Sequence, residues 1–199
     1  MRLSDSPLPI ILGSSSPFRQ EVLRHAGVRF SVISPNIDES RFHGDDPIDL
    51  AISLARAKMS AILPQIAHPS LTITADQIVL VNGNMRGKPP TREIAREYLL
   101  SYRNHPAETI SAVGIGDTKR GTAVFGFDRC RVYLKRIDSN RIEDILNEGT
   151  VFHCAGGFAI EHPLMSPFVD RIDGTIDSVL GMPMALVERL LDELLEDHN

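Results

Sequence analysis

The stretch Pro9-Ile-Ile-Leu-Gly-Ser-Ser-Ser-Pro-Phe-Arg19 holds a strand, a turn and the start of a helix. Pro9 to Leu12 is a short apolar run that ends at Gly13, and Ser16-Pro17 supplies an N-cap residue followed by proline at the first helical position. A strand feeding a helix is therefore predicted, with the helix reaching about Ala26. The first-turn amides and the serine hydroxyls of Gly13 to Pro17 are suited to holding an anion, because free donors at a helix start converge on one place. Arg19 adds a cation one turn in. Taken by itself, an ordinary N-cap with spare serines is the simpler account.

Working outward, a second strand is expected near Phe30 to Ser34. Asp46-Pro47 then caps a helix with Ile48, Ile52, Ala55, Met59 and Ile62 at helical spacing, stopping before Pro64. Leu71 to Val81 is rich in β-formers, and Thr91 caps a helix carrying Ile94, Ala95, Tyr98, Leu99 and Tyr102. Thr109 to Gly116 and Ala123 to Ile137, joined by the polar turn Asp117 to Gly121, read as a long antiparallel hairpin. A short helix follows Ser139 and ends near Gly149. The last helix places Val187, Leu190, Leu191, Leu194 and Leu195 on one stripe, with the acidic run Asp192 to Asp197 as its solvated face and tail. This is an α/β order with a mixed sheet and flanking helices, without a strict βαβ repeat.

The 199 residues, 42% hydrophobic and 24% charged, suit a single domain spanning 1–199 with one substantial core. A formal net charge of −5 argues against a chain whose main partner is nucleic acid. No apolar run approaches the roughly 20 residues of a membrane span, and the N-terminal residues lack a signal-peptide core. A cytoplasmic enzyme with no membrane partner is the expectation. Cys130 and Cys154 have no C-x-x-C spacing and read as reduced core cysteines, and no histidine pair has the pattern of a zinc site.

Familiar phosphate motifs are excluded. Gly83 to Pro89 has one residue too few between its glycines for a P-loop, and Gly114-x-Gly116 meets Lys119 where the dinucleotide fingerprint needs glycine. The serines are not in a G-x-S-x-G context, which leaves a serine hydrolase as a poor third choice. Asp76 is the best single candidate for a catalytic residue: it lies inside the apolar run Leu71 to Val81, where a carboxylate must be paired, hydrogen-bonded or bound to metal. A strand bulge or an edge position is the alternative. Glu39 is a second carboxylate in a loop, Lys58 falls on the apolar side of its helix, and Lys88 sits in a loop just past the strand of Asp76. Two lysines and an arginine could balance a triphosphate, and two carboxylates could hold Mg²⁺.

These residues together resemble the Maf family, septum-inhibition proteins that act as nucleoside triphosphate pyrophosphatases and share a fold with inosine triphosphate pyrophosphatases. Ile11 to Leu23 is similar to the family's opening A-S-x-S-P-R-R-x-E-L-L. Ile37-Asp-Glu39, Leu54-Ala-Arg-Ala-Lys58, Thr74-Ala-Asp-Gln-Ile-Val79, Gly87-Lys-Pro89, Ala155-Gly-Gly-Phe158 and Val179-Leu-Gly-Met-Pro183 follow in the family's order. The resemblance implies a mixed sheet with a cleft between two lobes, and a homodimer. It implies that Ser14, Arg19, Lys58 and Lys88 contact the phosphates, that Glu39 and Asp76 serve a divalent metal (Mg²⁺ or Mn²⁺) and the water, and that Asp76 accepts the proton. Water would attack the α-phosphorus and release a nucleoside monophosphate and pyrophosphate.

Two positions depart from the pattern. Phe18 stands where the family has its first arginine, which removes one cation from the triphosphate site. Glu161-His162-Pro163 stands where many bacterial members have Gln-Gly, at a position linked to substrate choice. A Glu161 carboxylate accepts hydrogen bonds from base or sugar donors, or joins the metal site, whereas glutamine both donates and accepts. The rival reading is a nucleotide-binding regulator, for instance of cell division, with weak or no turnover through Phe18. A phosphatase releasing single phosphates is the second rival.

Overall fold

The computed structural model describes residues 2–196. Strands β1 (Ile10–Gly13), β2 (Ser31–Val32), β3 (Leu71–Val81), β4 (Asn84–Arg86), β5 (Ala107–Asp117), β6 (Thr122–Leu134) and β7 (Val169–Asp173) alternate with helices α1 (Pro17–His25), α2 (Pro47–Ile62), α3 (Arg92–Ser101), α4 (Ser139–Glu148), α5 (Ile176–Val179) and α6 (Met184–Glu196). The strands hydrogen-bond in the order β2-β1-β3-β5-β6-β7, with β4 also on β3. β1 runs parallel to both β2 and β3, whereas β3–β4 and β6–β7 are antiparallel, so the sheet is mixed. β5 and β6 are neighbours joined only by residues 118–121, a connection too short for a parallel crossover, and they form the expected hairpin. Asp117 shapes its turn by accepting the amides of Lys119 (2.8 Å) and Arg120 (3.2 Å).

The helix starts follow their cap residues. Ser16 Oγ accepts from the Arg19 amide (3.5 Å), Asp46 Oδ1 from Ile48 (2.7 Å) and Asp49 (3.0 Å), Thr91 Oγ1 from Ile94 (3.3 Å) and Asp138 Oδ1 from Arg141 (2.9 Å). Each such cap contributes about 1 kcal/mol. Gly149 ends α4 in the left-handed region, φ 94°.

Sequence and structure differ in several places, among them the short helix α5, which has no counterpart among the expected elements. β2 keeps only Ser31 and Val32 of the expected Phe30 to Ser34, because its single partner, β1, offers just Ile11 and Leu12 for pairing before the chain turns. β6 ends at Leu134, short of Ile137, where a register irregularity at Tyr133/Leu134 interrupts its pairing with β7. β4 and β7 were not anticipated. β4 follows from Asn82-Gly83, whose φ values of 50° and 77° close a two-residue hairpin between Val81 and Asn84. β7 is an edge strand of Val-Asp-Arg-Ile-Asp, too polar to announce itself by hydrophobic pattern. The acidic face of α6 is seen to Glu196; Asp197 lies outside the described residues.

The described residues divide into two compact units. The second comprises Gln77–Ile110 and Arg129–Thr175, and the rest form the first. In the first, Leu12, Leu23, Leu71, Ile73, Val113, Ile115 and the α6 stripe Val187, Leu190, Leu191 and Leu194 make one apolar core. In the second, Leu99, Tyr102, Ile110, Val132, Ile142, Ile145 and Leu146 are buried. Among the described residues no helix is long and apolar enough to cross a membrane.

Candidate active site

Within the first unit, the end of β1, the middle of β3 and one face of α2 bring the predicted groups together. The buried stripe of α2 is Ala51, Leu54, Ala55, Lys58, Met59 and Ile62, so helical spacing alone points Lys58 inward. Thr74, completely buried, donates its hydroxyl to the Ala55 carbonyl (2.9 Å) and fixes β3 against α2 one turn before Lys58. Asp76 lies two residues further on the same face of β3. Gly13 makes this approach possible: a Cβ there would stand 2.7 Å from both Ile62 Cδ1 and Thr74 Cγ2.

The result is a short charge-assisted hydrogen bond from Lys58 Nζ to Asp76 Oδ1, with the two side chains only 9% exposed each. Neither charge could stand in that environment without the other. The same ammonium reaches Glu39 Oε1 at 2.8 Å, on a side chain 57% exposed. Glu39 opens a 3-10 turn, Glu39–Arg41, whose cap, Asp38, accepts from the Ser40 amide (3.1 Å).

Ser14 and Arg19 complete the group. Arg19 Nη1 donates to the Ala75 carbonyl (2.8 Å) and to Ser14 Oγ (3.3 Å), and its Nε donates to the Gly181 carbonyl (3.1 Å). Ser14, buried, also accepts from the Ser16 amide (3.3 Å). Burial pulls the Arg19 pKa below its ordinary value, opposed by the charges of Asp76 and Glu39. Asp76 lies within β3, two residues past the last pair with β1 at Thr74, and its partner is a lysine.

The donor set suits a hard divalent cation. Among the described residues no group of three or more His, Cys, Asp or Glu is placed to hold a metal. Mg²⁺ does not require one, since it is commonly held by one or two carboxylates plus substrate phosphates. Glu39 and Asp76, which share Lys58 Nζ as their partner, are the two carboxylates here that could serve such an ion.

Lys88 and Glu161 belong to the second unit, and both are exposed. The turn of Lys88 is tied down by its backbone: the Gly87 carbonyl accepts from the Gly156 amide (3.0 Å), and the Gly156 carbonyl accepts from the buried Tyr102 hydroxyl. Gly156 has φ 71°, and a Cβ on it would lie 2.7 Å from Val79 Cγ1 and 2.9 Å from the Tyr102 hydroxyl, so only glycine fits. Tyr102 packs edge-on against Phe158, centroids 5.4 Å apart, and the Arg86 guanidinium lies 4.4 Å from the Tyr98 ring centroid. Tyr102 was expected only as part of the apolar face of α3; its hydroxyl contact with Gly156 has no signal in the sequence.

The Glu161-His162-Pro163 segment is similarly pinned. The His162 amide donates to Ala159 O (3.1 Å), and the His162 carbonyl accepts from Met165 and Ser166 (2.8 Å each). His162 Nδ1 accepts from the Leu164 amide (3.3 Å), and its Nε2 lies 3.4 Å from Glu148 Oε1. Desolvation holds the Glu161 carboxyl above its ordinary pKa, against a backbone hydrogen bond and the His162 charge.

The family model described as Maf-like protein matches residues 9–194, and the chain belongs to that family. It is 37% identical over 193 residues to a 7-methyl-GTP pyrophosphatase of Dictyostelium discoideum, covering 94% of this chain and 97% of the relative. It is 33% identical over 186 residues to a nucleoside triphosphate pyrophosphatase of a Synechococcus species, covering 94% of each. A dTTP/UTP pyrophosphatase of Citrifermentans bemidjiense is 33% identical over 178 residues, 89% of this chain and 91% of the relative. Among solved structures, a nucleoside-triphosphatase / dITP/XTP pyrophosphatase of Mycobacterium abscessus superposes with a TM-score of 0.41 at 16% identity, covering 66% of this chain and 77% of that one.

Proposed function

We propose that the protein is a nucleoside triphosphate pyrophosphatase, cleaving ordinary or modified nucleotides to the monophosphate and pyrophosphate. The observation that carries the reading is the buried Lys58–Asp76 pair with Glu39 on the same ammonium, beside the serine-rich start of α1. The full-length relatives named for pyrophosphatase activity support it.

Asp76 orients the attacking water and takes its proton, a role that a carboxylate held in one place by Lys58 can fill. Ser14 and the first turn of α1 offer donors to phosphate oxygens, with Arg19 and Lys58 as the cations, and Lys88 is added on the family resemblance alone. Glu39 and Asp76 hold a divalent cation, Mg²⁺ or Mn²⁺, which when bound offsets charge on the leaving pyrophosphate. By the family resemblance Glu161 is the group for the base or sugar, where its carboxylate favours partners that donate hydrogen bonds. Cys130 and Cys154, both buried and outside any disulfide, suit a reducing cytoplasm, and a homodimer is carried over from the family.

The second reading, a nucleotide-binding regulator of cell division with weak turnover, rests on Phe18 in place of an arginine. A nucleotide panel that includes 7-methyl-GTP, dTTP and UTP, assayed with Mg²⁺ and Mn²⁺, separates the readings. Pyrophosphate as the direct product supports the enzyme. Orthophosphate as the direct product makes it a phosphatase, and binding without product makes it a regulator.

A further inference from the structure

We propose that Arg19 is a positioning residue for Asp76, acting through the peptide that precedes it, and that it keeps this role when nucleotide is bound. The inference rests on the reading of Asp76 as the proton acceptor. The Leu71 amide donates to the Pro9 carbonyl (2.9 Å), so odd-numbered residues of β3 turn their backbone groups toward β1. Pairing runs in step from Ile10–Leu71 to Gly13–Thr74 and stops there, because the chain leaves the sheet at Ser14 to enter α1. The Ala75 carbonyl, next on that side, therefore faces the place where a β1 amide would have continued the ladder. Arg19 Nη1 takes that place at 2.8 Å.

The guanidinium is itself held on three sides. Its Nη1 also meets Ser14 Oγ at the end of β1, and its Nε meets the Gly181 carbonyl between α5 and α6. Arg19 in α1 thus clamps the Ala75–Asp76 peptide to two other segments of the first unit, and the orientation of the Asp76 carboxylate toward Lys58 depends on that peptide plane. A lysine would keep the positive charge but has neither the fork nor the planarity to serve three acceptors. Two of the guanidinium's nitrogens are committed to the chain, which leaves Nη2 as the part that can address a phosphate.

The test compares wild type, Arg19→Lys and Arg19→Ala in one pyrophosphate-release assay, with Asp76→Asn as the inactive reference. Arg19→Lys should lower kcat roughly 10–100-fold, the scale of a small misplacement of a catalytic group, and leave KM little changed. Added guanidinium ion should restore kcat to Arg19→Ala better than ammonium at the same concentration. A lysine variant with wild-type kcat and a raised KM, or equal rescue by ammonium, would show that charge alone matters and overturn the proposal. A second arm needs neither variant folding nor turnover: the wild-type Arg19 Nε–H should stay protected from solvent exchange, by NMR, with and without a nonhydrolysable nucleotide. Loss of protection on binding would mean that the side chain leaves the chain for the phosphates. Failure of the pyrophosphatase reading appears separately, as a wild type without product or an active Asp76→Asn.

Discussion

Lys58 and Asp76 are buried and bonded to each other, whereas Lys88 and Glu161 stand exposed on turns whose backbone is held from beneath. In the first region the side chains themselves are fixed, by one another, by Glu39 and by the neighbouring Arg19 clamp. In the second the hydrogen bonds hold the peptide, through Gly87, Gly156 and Tyr102 beside Lys88 and through His162 beside Glu161, and the two side chains are exposed. The difference teaches what each is suited to do. A proton acceptor needs one geometry and must be in place before substrate arrives. A cation for phosphate, or an acceptor for a base edge, tolerates side-chain freedom as long as the backbone beneath stays put.

The comparison can be broken first at Asp76. Asp76→Asn should reduce kcat by roughly 10²–10⁴-fold, since the amide takes no proton. Lys58 keeps Glu39 as a partner, so circular dichroism should still show a folded chain, with a lowered melting temperature. Wild-type turnover in the variant would remove Asp76 from the chemistry. Next, Lys58→Met leaves the Asp76 carboxylate buried without its partner and should cost about 3–5 kcal/mol in urea unfolding. A loss below about 1 kcal/mol, the scale of an exposed pair, would mean that water supports the carboxylate.

In the second region, Tyr102→Phe strips the Gly156 carbonyl of its donor and should cost about 1–3 kcal/mol of stability. If stability is unchanged, the Gly156 turn is not held from Tyr102. The smallest effect concerns Cys154 in the same unit. Burial, with the negative charge of Glu161 next and Lys88 opposing, pushes its thiol up to about 11, so the protonated form persists through the neutral range. Alkylation followed by mass spectrometry should therefore be slow near neutral pH in the folded protein and keep rising as pH climbs toward about 11. A rate that levels off in the ordinary thiol range would show that Cys154 is not shielded.

Much of the fold was legible, and for local reasons. β3 occupies Leu71–Val81 as expected, because an apolar β-rich run is bounded by Pro69-Ser70 and Asn82-Gly83. α2 starts after Asp46 and reaches Ile62, since cap, proline and apolar stripe all agree. β4 is encoded by Asn82-Gly83, a strong two-residue hairpin signal that the expected elements did not use. At the site, Lys58 and Asp76 were each conspicuous as charges in apolar company, but their contact was not legible. It depends on Thr74 meeting Ala55, a pairing of strand against helix that no local pattern encodes. The hydroxyl of Tyr102 on Gly156, 54 residues away in sequence, is of the same kind.

The central claim is that water held by Asp76 attacks the α-phosphorus, and hydrolysis in ¹⁸O-labelled water tests it most directly. The label should appear in the nucleoside monophosphate, with unlabelled pyrophosphate as the other product. Label in pyrophosphate, or in released orthophosphate, would contradict it.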